Sequence, residues 1–132
     1  MIGAVNKVRA AHGLAAMRTS SSLMGSAGRF SRWLLERDTF THLSRIQASS
    51  QFAALGEALA MHRGRRFDVG GTFRRWMASP PHRAIVLSPA MRWVGTGVTR
   101  GRYGAMPTTM WVLQTGKLGP AGSPRVPGVP LP

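Results

Sequence analysis

At 132 residues and 43% hydrophobic content, the chain is long enough for one domain with a real core and is not a disordered sequence. It contains no cysteine, which excludes disulfides, a thiolate metal cluster and a cysteine nucleophile. Eighteen basic residues, sixteen of them arginine, face four acidic ones, and the resulting net charge of +14 favours polyanions: nucleic acid, anionic lipid or an acidic cell envelope.

The first stretch with helical spacing is "VNKVRAAHGL", with Val5 and Val8 on one side and Gly13 as its C-terminal stop. A longer helix is predicted in "TSSSLMGSAGRFSRWLLERDTF", capped near Thr19 or Ser20. Its Leu23, Ala27, Phe30 and Leu34 form a core-facing stripe, and Gly25 and Gly28 either weaken the helix by up to about 1 kcal/mol each relative to Ala or let a neighbour pack closely. "SSQFAALG" reads as a short capped helix ended by Gly56. Asp68 is placed to cap a helix through "VGGTFRRWMAS", whose first turn is softened by Gly70 and Gly71.

The next segment, "WMASPPHRAIVLSP", sets a titratable His82 behind two prolines and ahead of an apolar run. Pro81 suits the first position of a helix and Ser79 is a possible cap. His82 then falls in the first turn, where the helix dipole favours neutral imidazole. Beyond residue 92 the pattern turns to strands: "WVGTGVT" and "TTMWVLQTG", joined through "RGRYGAMP", predict an antiparallel hairpin. Trp33, Trp76, Trp93 and Trp111 are expected in the core, while His12 and His62 are expected in solvent. The composition of residues 117–132, rich in Gly and Pro, predicts a tail outside a folded domain of residues 1–116. Helices followed by an antiparallel sheet make the fold class α+β.

Apolar runs of only a few residues fall short of the roughly 20 that span a bilayer, so an integral membrane protein is not expected. The arginines are scattered, with small clusters in "HRGRRF" and "RGRYG", and no groove-reading motif organises them. No specific nucleic-acid partner is expected on that basis.

Six segments in order, "NKVRAAHGLAAMR", "FTHLS", "GEALA", "WMASPPHRAIVLSP", "VGTGV" and "WVLQTG", resemble the CAP superfamily of cysteine-rich secretory, antigen 5 and pathogenesis-related proteins. The similarity is greatest to its cysteine-free bacterial SCP-like branch and covers about residues 2–116. The resemblance implies an α-β-α sandwich around a small central antiparallel sheet, with a polar cleft on its surface. Carried onto this chain, the cleft residues are His42 of "FTH", Glu57 of "GE" and His82 of "PHR". The same three residues are the implied ligands of a divalent cation such as zinc. A His/Glu/His set would suit an open site with water in the fourth position.

Several positions depart from the family pattern. Ala58 stands where bacterial members carry the amide of "GEN", and Pro81 replaces a glycine before the last histidine. The segment between His42 and Glu57 looks shortened, and the second glutamate has no clear counterpart, since Asp68 suits a helix cap better. Three functional readings stay open. The favoured one is an exported binding module, secreted or in the cell envelope, with its export signal upstream of these residues and an anionic envelope component or lipid as partner. The second is a metal-assisted hydrolase with His42 and His82 as ligands and Glu57 as general base. The third is a basic nucleic-acid-binding protein. No catalytic nucleophile such as a G-x-S-x-G elbow is present, so whether the protein is an enzyme stays open too.

Overall fold

A computed structural model of the chain describes residues 1–42, 46, 48 and 51–119. The elements run α1 (Ile2–Ala11), β1 (Arg18–Thr19), α2 (Ser21–Glu36), β2 (Phe52–Arg63), α3 (Val69–Ala78), α4 (Pro80–Val86), β3 (Trp93–Tyr103) and β4 (Met106–Leu118). The strands form one sheet in the order β1-β3-β4-β2. β3, β4 and β2 are antiparallel, and the two-residue β1 adds to β3 in parallel, which makes the expected antiparallel sheet a mixed one.

Helix layers cover both faces of this sheet. On one face Val5 of α1, Trp76 of α3 and Val86 of α4 pack with Ala58, Val94, Trp111 and Leu113. On the other, Ala27, Phe30, Leu34 and Leu35 of α2 pack with Leu59, Met110 and Val112. β4 lies in the middle and is buried from Thr108 to Gly116, as a strand covered on both faces must be. The result is the α-β-α sandwich.

The stripe of α2 behaves as its spacing requires: Leu23, Ala27, Phe30 and Leu34 are all fully buried, and the Ser20 hydroxyl accepts the Leu23 N–H to cap the helix. Of the two readings of Gly25 and Gly28, close packing is not what these glycines provide. Gly28 has open space around it, and a side chain at Gly25 would meet only the flexible Arg29. The tight positions are Gly95 and Gly97 of β3, where any Cβ would run into the α2 backbone at Leu23, Met24, Ala27 and Gly28. The strand, not the helix, omits side chains so that the two can lie together.

The short helix expected at residues 49–56 is not formed over its described part, which instead opens the twelve-residue strand β2. Its alanines favour helix locally. The sheet decides otherwise, because β4 offers ladder partners along nearly all of β2, from Phe52↔Leu118 to Arg63↔Thr108. Small residues are needed here for packing: a Cβ at Gly56 would sit 2.7 Å from Thr115 Oγ1 and 3.2 Å from Ile85 Cγ2. β4 itself continues to Leu118, and residues 120–132 of the expected tail lie outside the described residues.

Buried Arg9 ties α1 to α4. Its Nη1 donates to the carbonyls of Val86 (2.8 Å) and Ser88 (2.7 Å), and its Nε donates to Ala15 O (2.8 Å). A guanidinium at the C-terminal end of a helix satisfies carbonyls left without intrahelical partners. Among the described residues, no helix is long and apolar enough to cross a membrane.

Candidate functional site

The site grows from a register pair. Glu57 on β2 and Gln114 on β4 are direct Cα partners, so their side chains leave the same face of the sheet. Gln114 is fully buried and Glu57 is 8% exposed. Gln114 Nε2 donates to Glu57 Oε2 at 2.8 Å, and the ring Nδ1 of His42 lies 3.0 Å from Glu57 Oε1. A carboxylate taken out of water needs such partners, and here an amide and an imidazole supply them. The cluster reaches solvent through His42, whose side chain is 57% exposed against 5% for Glu57.

The turn that follows α2 delivers His42. Asp38 adopts a left-handed backbone (φ 47°), its N–H donates to Leu35 O, and the Thr39 N–H donates back to Leu34 O. The Asp38 carboxylate also accepts the N–H of Gly104 at 2.6 Å, which fastens this turn to the β3–β4 hairpin.

His82 sits in the first turn of α4, where Pro80 opens the helix and the Arg83 N–H donates to Ser79 O. The Ser79 side chain makes no cap bond, so the prolines rather than a hydroxyl start this helix. Burial, and then the nearby charge of His42, hold the His82 pKa below its ordinary value of 6.5, so His82 is neutral at pH 7. Arg83 is turned toward α1: its Nη2 lies 3.4 Å from Nε2 of His12.

Strand alternation turns Glu57 away from the face on which its neighbours Gly56 and Ala58 meet α4. Gly56 faces Ile85 of α4, and Ala58 shares a core with Val86. His42 and Glu57 are brought together; His82 lies in α4, where the charge of His42 acts on it. The donor set for a divalent cation is not assembled: among the described residues no group of three His, Cys, Asp or Glu could hold a metal ion. Both Glu57 oxygens already accept hydrogen bonds, from His42 and Gln114.

Gln114 is the member that sequence reasoning missed. Its signal was present, as one amide inside the otherwise apolar and Thr-rich "TTMWVLQTG". It supplies an amide that position 58 lacks, since Ala58 is fully buried in the core with Trp76 and Val86. Gln114 Oε1 is itself buried without a hydrogen-bond partner among the described residues, which leaves an acceptor in the cluster.

The supporting aromatics are partly as expected. Trp76 is 1% exposed and its Nε1 donates to Leu59 O at 3.0 Å, whereas Trp93 and Trp33 are only half-buried. Trp111 is buried and donates to Phe67 O at 2.7 Å. His12 is exposed, but His62 is half-buried with a buried Nε2, not solvated as expected.

Two helix layers on a small mixed sheet, with a His–Glu pair at the sheet's edge strand, define an SCP-type α-β-α sandwich. Solved structures of this build superpose on the chain. An outer surface protein of Borrelia burgdorferi matches with a TM-score of 0.72 at 18% identity, over 89% of this chain and 90% of that one. An extracellular SCP-domain protein of Bacillus anthracis matches with 0.69 at 19% identity, over 86% of this chain and 37% of that longer one. Venom allergen-like protein 4 of Schistosoma mansoni matches with 0.68 at 12% identity, over 98% of this chain and 92% of that one. No curated protein matches the chain by sequence. The family model described as "CAP: Cysteine-rich secretory protein family" matches residues 2–115, and the chain belongs to that family.

Proposed function

We propose that this CAP domain is an exported binding module that engages an anionic component of the cell envelope, an anionic lipid surface being the partner chemistry that suits it best. One observation carries the reading: three of the four carboxylates are committed to structural work and leave the basic surface unbalanced. Asp68 caps α3, Asp38 accepts the Gly104 N–H, and Glu57 is buried with Gln114 and His42. Eighteen basic residues against four acidic ones therefore give the domain a strongly positive field. Extracellular and outer-surface proteins among the structural relatives support export. His42, Glu57 and His82, joined by Gln114, form the proposed ligand cleft, with His42 as its exposed mouth.

Co-sedimentation with vesicles tests the reading. Vesicles containing phosphatidylglycerol should retain the protein at low salt and release it as salt rises, because a Debye length of about 10 Å at 0.1 M screens surface charge. Phosphatidylcholine vesicles should not retain it. Equal binding to both, or no binding to the anionic vesicles at low salt, overturns the proposal. His42→Ala should leave this salt-dependent binding in place and alter only selectivity among anionic headgroups.

A further inference from the structure

We propose that the outer edge of β3, over residues 98–102, accepts an extended acidic peptide as an added strand. β3 lies between β4 and β1, but β1 is two residues long and pairs only with Trp93 and Val94. Beyond Val94 the outer side of β3 has no strand neighbour among the described residues.

The backbone polarity of that edge follows from two contacts. Val94 O accepts the Ser20 N–H at 2.9 Å, and the Thr96 N–H points at Met24 Sδ, 3.2 Å away. Alternate residues of a strand send their N–H and C=O to the same side. Val98, Arg100 and Arg102 therefore present their backbone groups outward, and no described backbone group meets them there. Pairing of β3 with β4 on its inner side, in register through Val98↔Trp111, Arg100↔Thr109 and Arg102↔Pro107, holds this edge in extended form. The edge carries neither a proline nor a bulge that would block a further strand.

A groove runs beside the edge. It has a volume of about 320 Å³ and is bounded by Arg32, Leu35 and Glu36 of α2 and by residues 99–102 of β3. Arginines outnumber the one glutamate around the edge: Arg32 stands on the α2 side, and the Arg100 guanidinium is held on the opposite face of the sheet, 4.6 Å from the Phe67 ring centroid. Charge decides the occupant. A second copy of β3 laid edge to edge would bring arginines against arginines, whereas alternate acidic side chains of a foreign strand would meet Arg100 and Arg102, which share one face of β3, and the residues between them would face Leu35 and Arg32 of α2. Main-chain pairing supplies affinity and the groove supplies side-chain selection, the division of labour in strand addition. Five residues of edge correspond to about 17 Å, so a segment of about that length is read.

The probe is a labelled peptide of alternating Glu and Val, compared with the same peptide N-methylated on alternate amides and with a Lys–Val counterpart. Amide NMR should show shifts centred on Val98, Arg100 and Arg102 with the Glu–Val peptide. N-methylation on the ladder-facing side should weaken binding by about tenfold or more, and the Lys–Val peptide should not bind. Arg32→Glu combined with Arg102→Glu should weaken binding similarly while leaving thermal unfolding unchanged. Equal binding of the methylated peptide would show charge attraction alone and overturn the proposal. So would shifts spread elsewhere on the basic surface, or a dimer formed through residues 98–102 that the peptide does not displace.

Discussion

Gln114 and Glu57 stand opposite each other across β4 and β2, and the amide of one holds the buried carboxylate of the other at 2.8 Å. His42 closes on the other oxygen at 3.0 Å. The cluster is thus anchored in the sheet and opens to solvent through a loop residue, which makes its fixed part the carboxyl–amide pair.

Gln114→Leu removes the amide donor and leaves Glu57 less satisfied in a buried position. A loss of about 1–3 kcal/mol is expected at neutral pH, the cost of an unmet buried polar group. Urea unfolding at pH 7 measures it. Pairing the change with Glu57→Leu should recover part of the loss, and strictly additive losses would show that the two side chains are not coupled.

The lowered pKa of His82 has a defined sign. The unfolded chain takes up a proton at His82 at higher pH than the folded one does, so stability rises with pH in this range. The contribution of His82 should be fully present above its unfolded value of about 6.5 and be lost as pH falls through the folded pKa. NMR titration should put the His82 midpoint below that of a free histidine. His42→Ala should raise the midpoint, since the His42 charge is its second cause. A midpoint indifferent to His42 would contradict the proximity of the two rings.

Trp76→Ala should cost about 3–5 kcal/mol, because it empties a fully buried aromatic position. Trp76→Phe should cost less, while still forfeiting the bond from Nε1 to Leu59 O. Thermal unfolding of both variants gives the order. If Trp76→Ala were as stable as the parent, α3 would not be what supports this face of the sheet.

Gly95→Ala and Gly28→Ala should move stability in opposite directions. A methyl at Gly95 meets the α2 backbone, which no rotamer can relieve, so the strand and helix must part and the variant should unfold at markedly lower temperature. A methyl at Gly28 meets nothing within 4 Å and should raise helix stability by up to about 1 kcal/mol. Equal effects at the two sites would contradict the packing of α2 on β3.

What the sequence determined by itself was local in its physics. The stripe of α2 at Leu23, Ala27, Phe30 and Leu34, the Asp68 cap of α3, the proline start of α4 and the hairpin of β3 and β4 all rest on periods and caps spanning a few residues. The family motifs placed His42 and Glu57 in one site, and the structure brings that pair to 3.0 Å. The tertiary structure alone decided the rest. Residues 52–56 favour helix by their alanines, yet become strand because β4 offers a continuous row of backbone partners. Gly95 and Gly97 read as ordinary strand glycines until α2 is laid across them. Gln114 reaches Glu57 across 57 residues of sequence, a pairing set by strand register. His82 stands in a different layer from the helix that leads to His42 for the same kind of reason: side chains alternate along β2, and only the assembled sheet shows which helix covers which face.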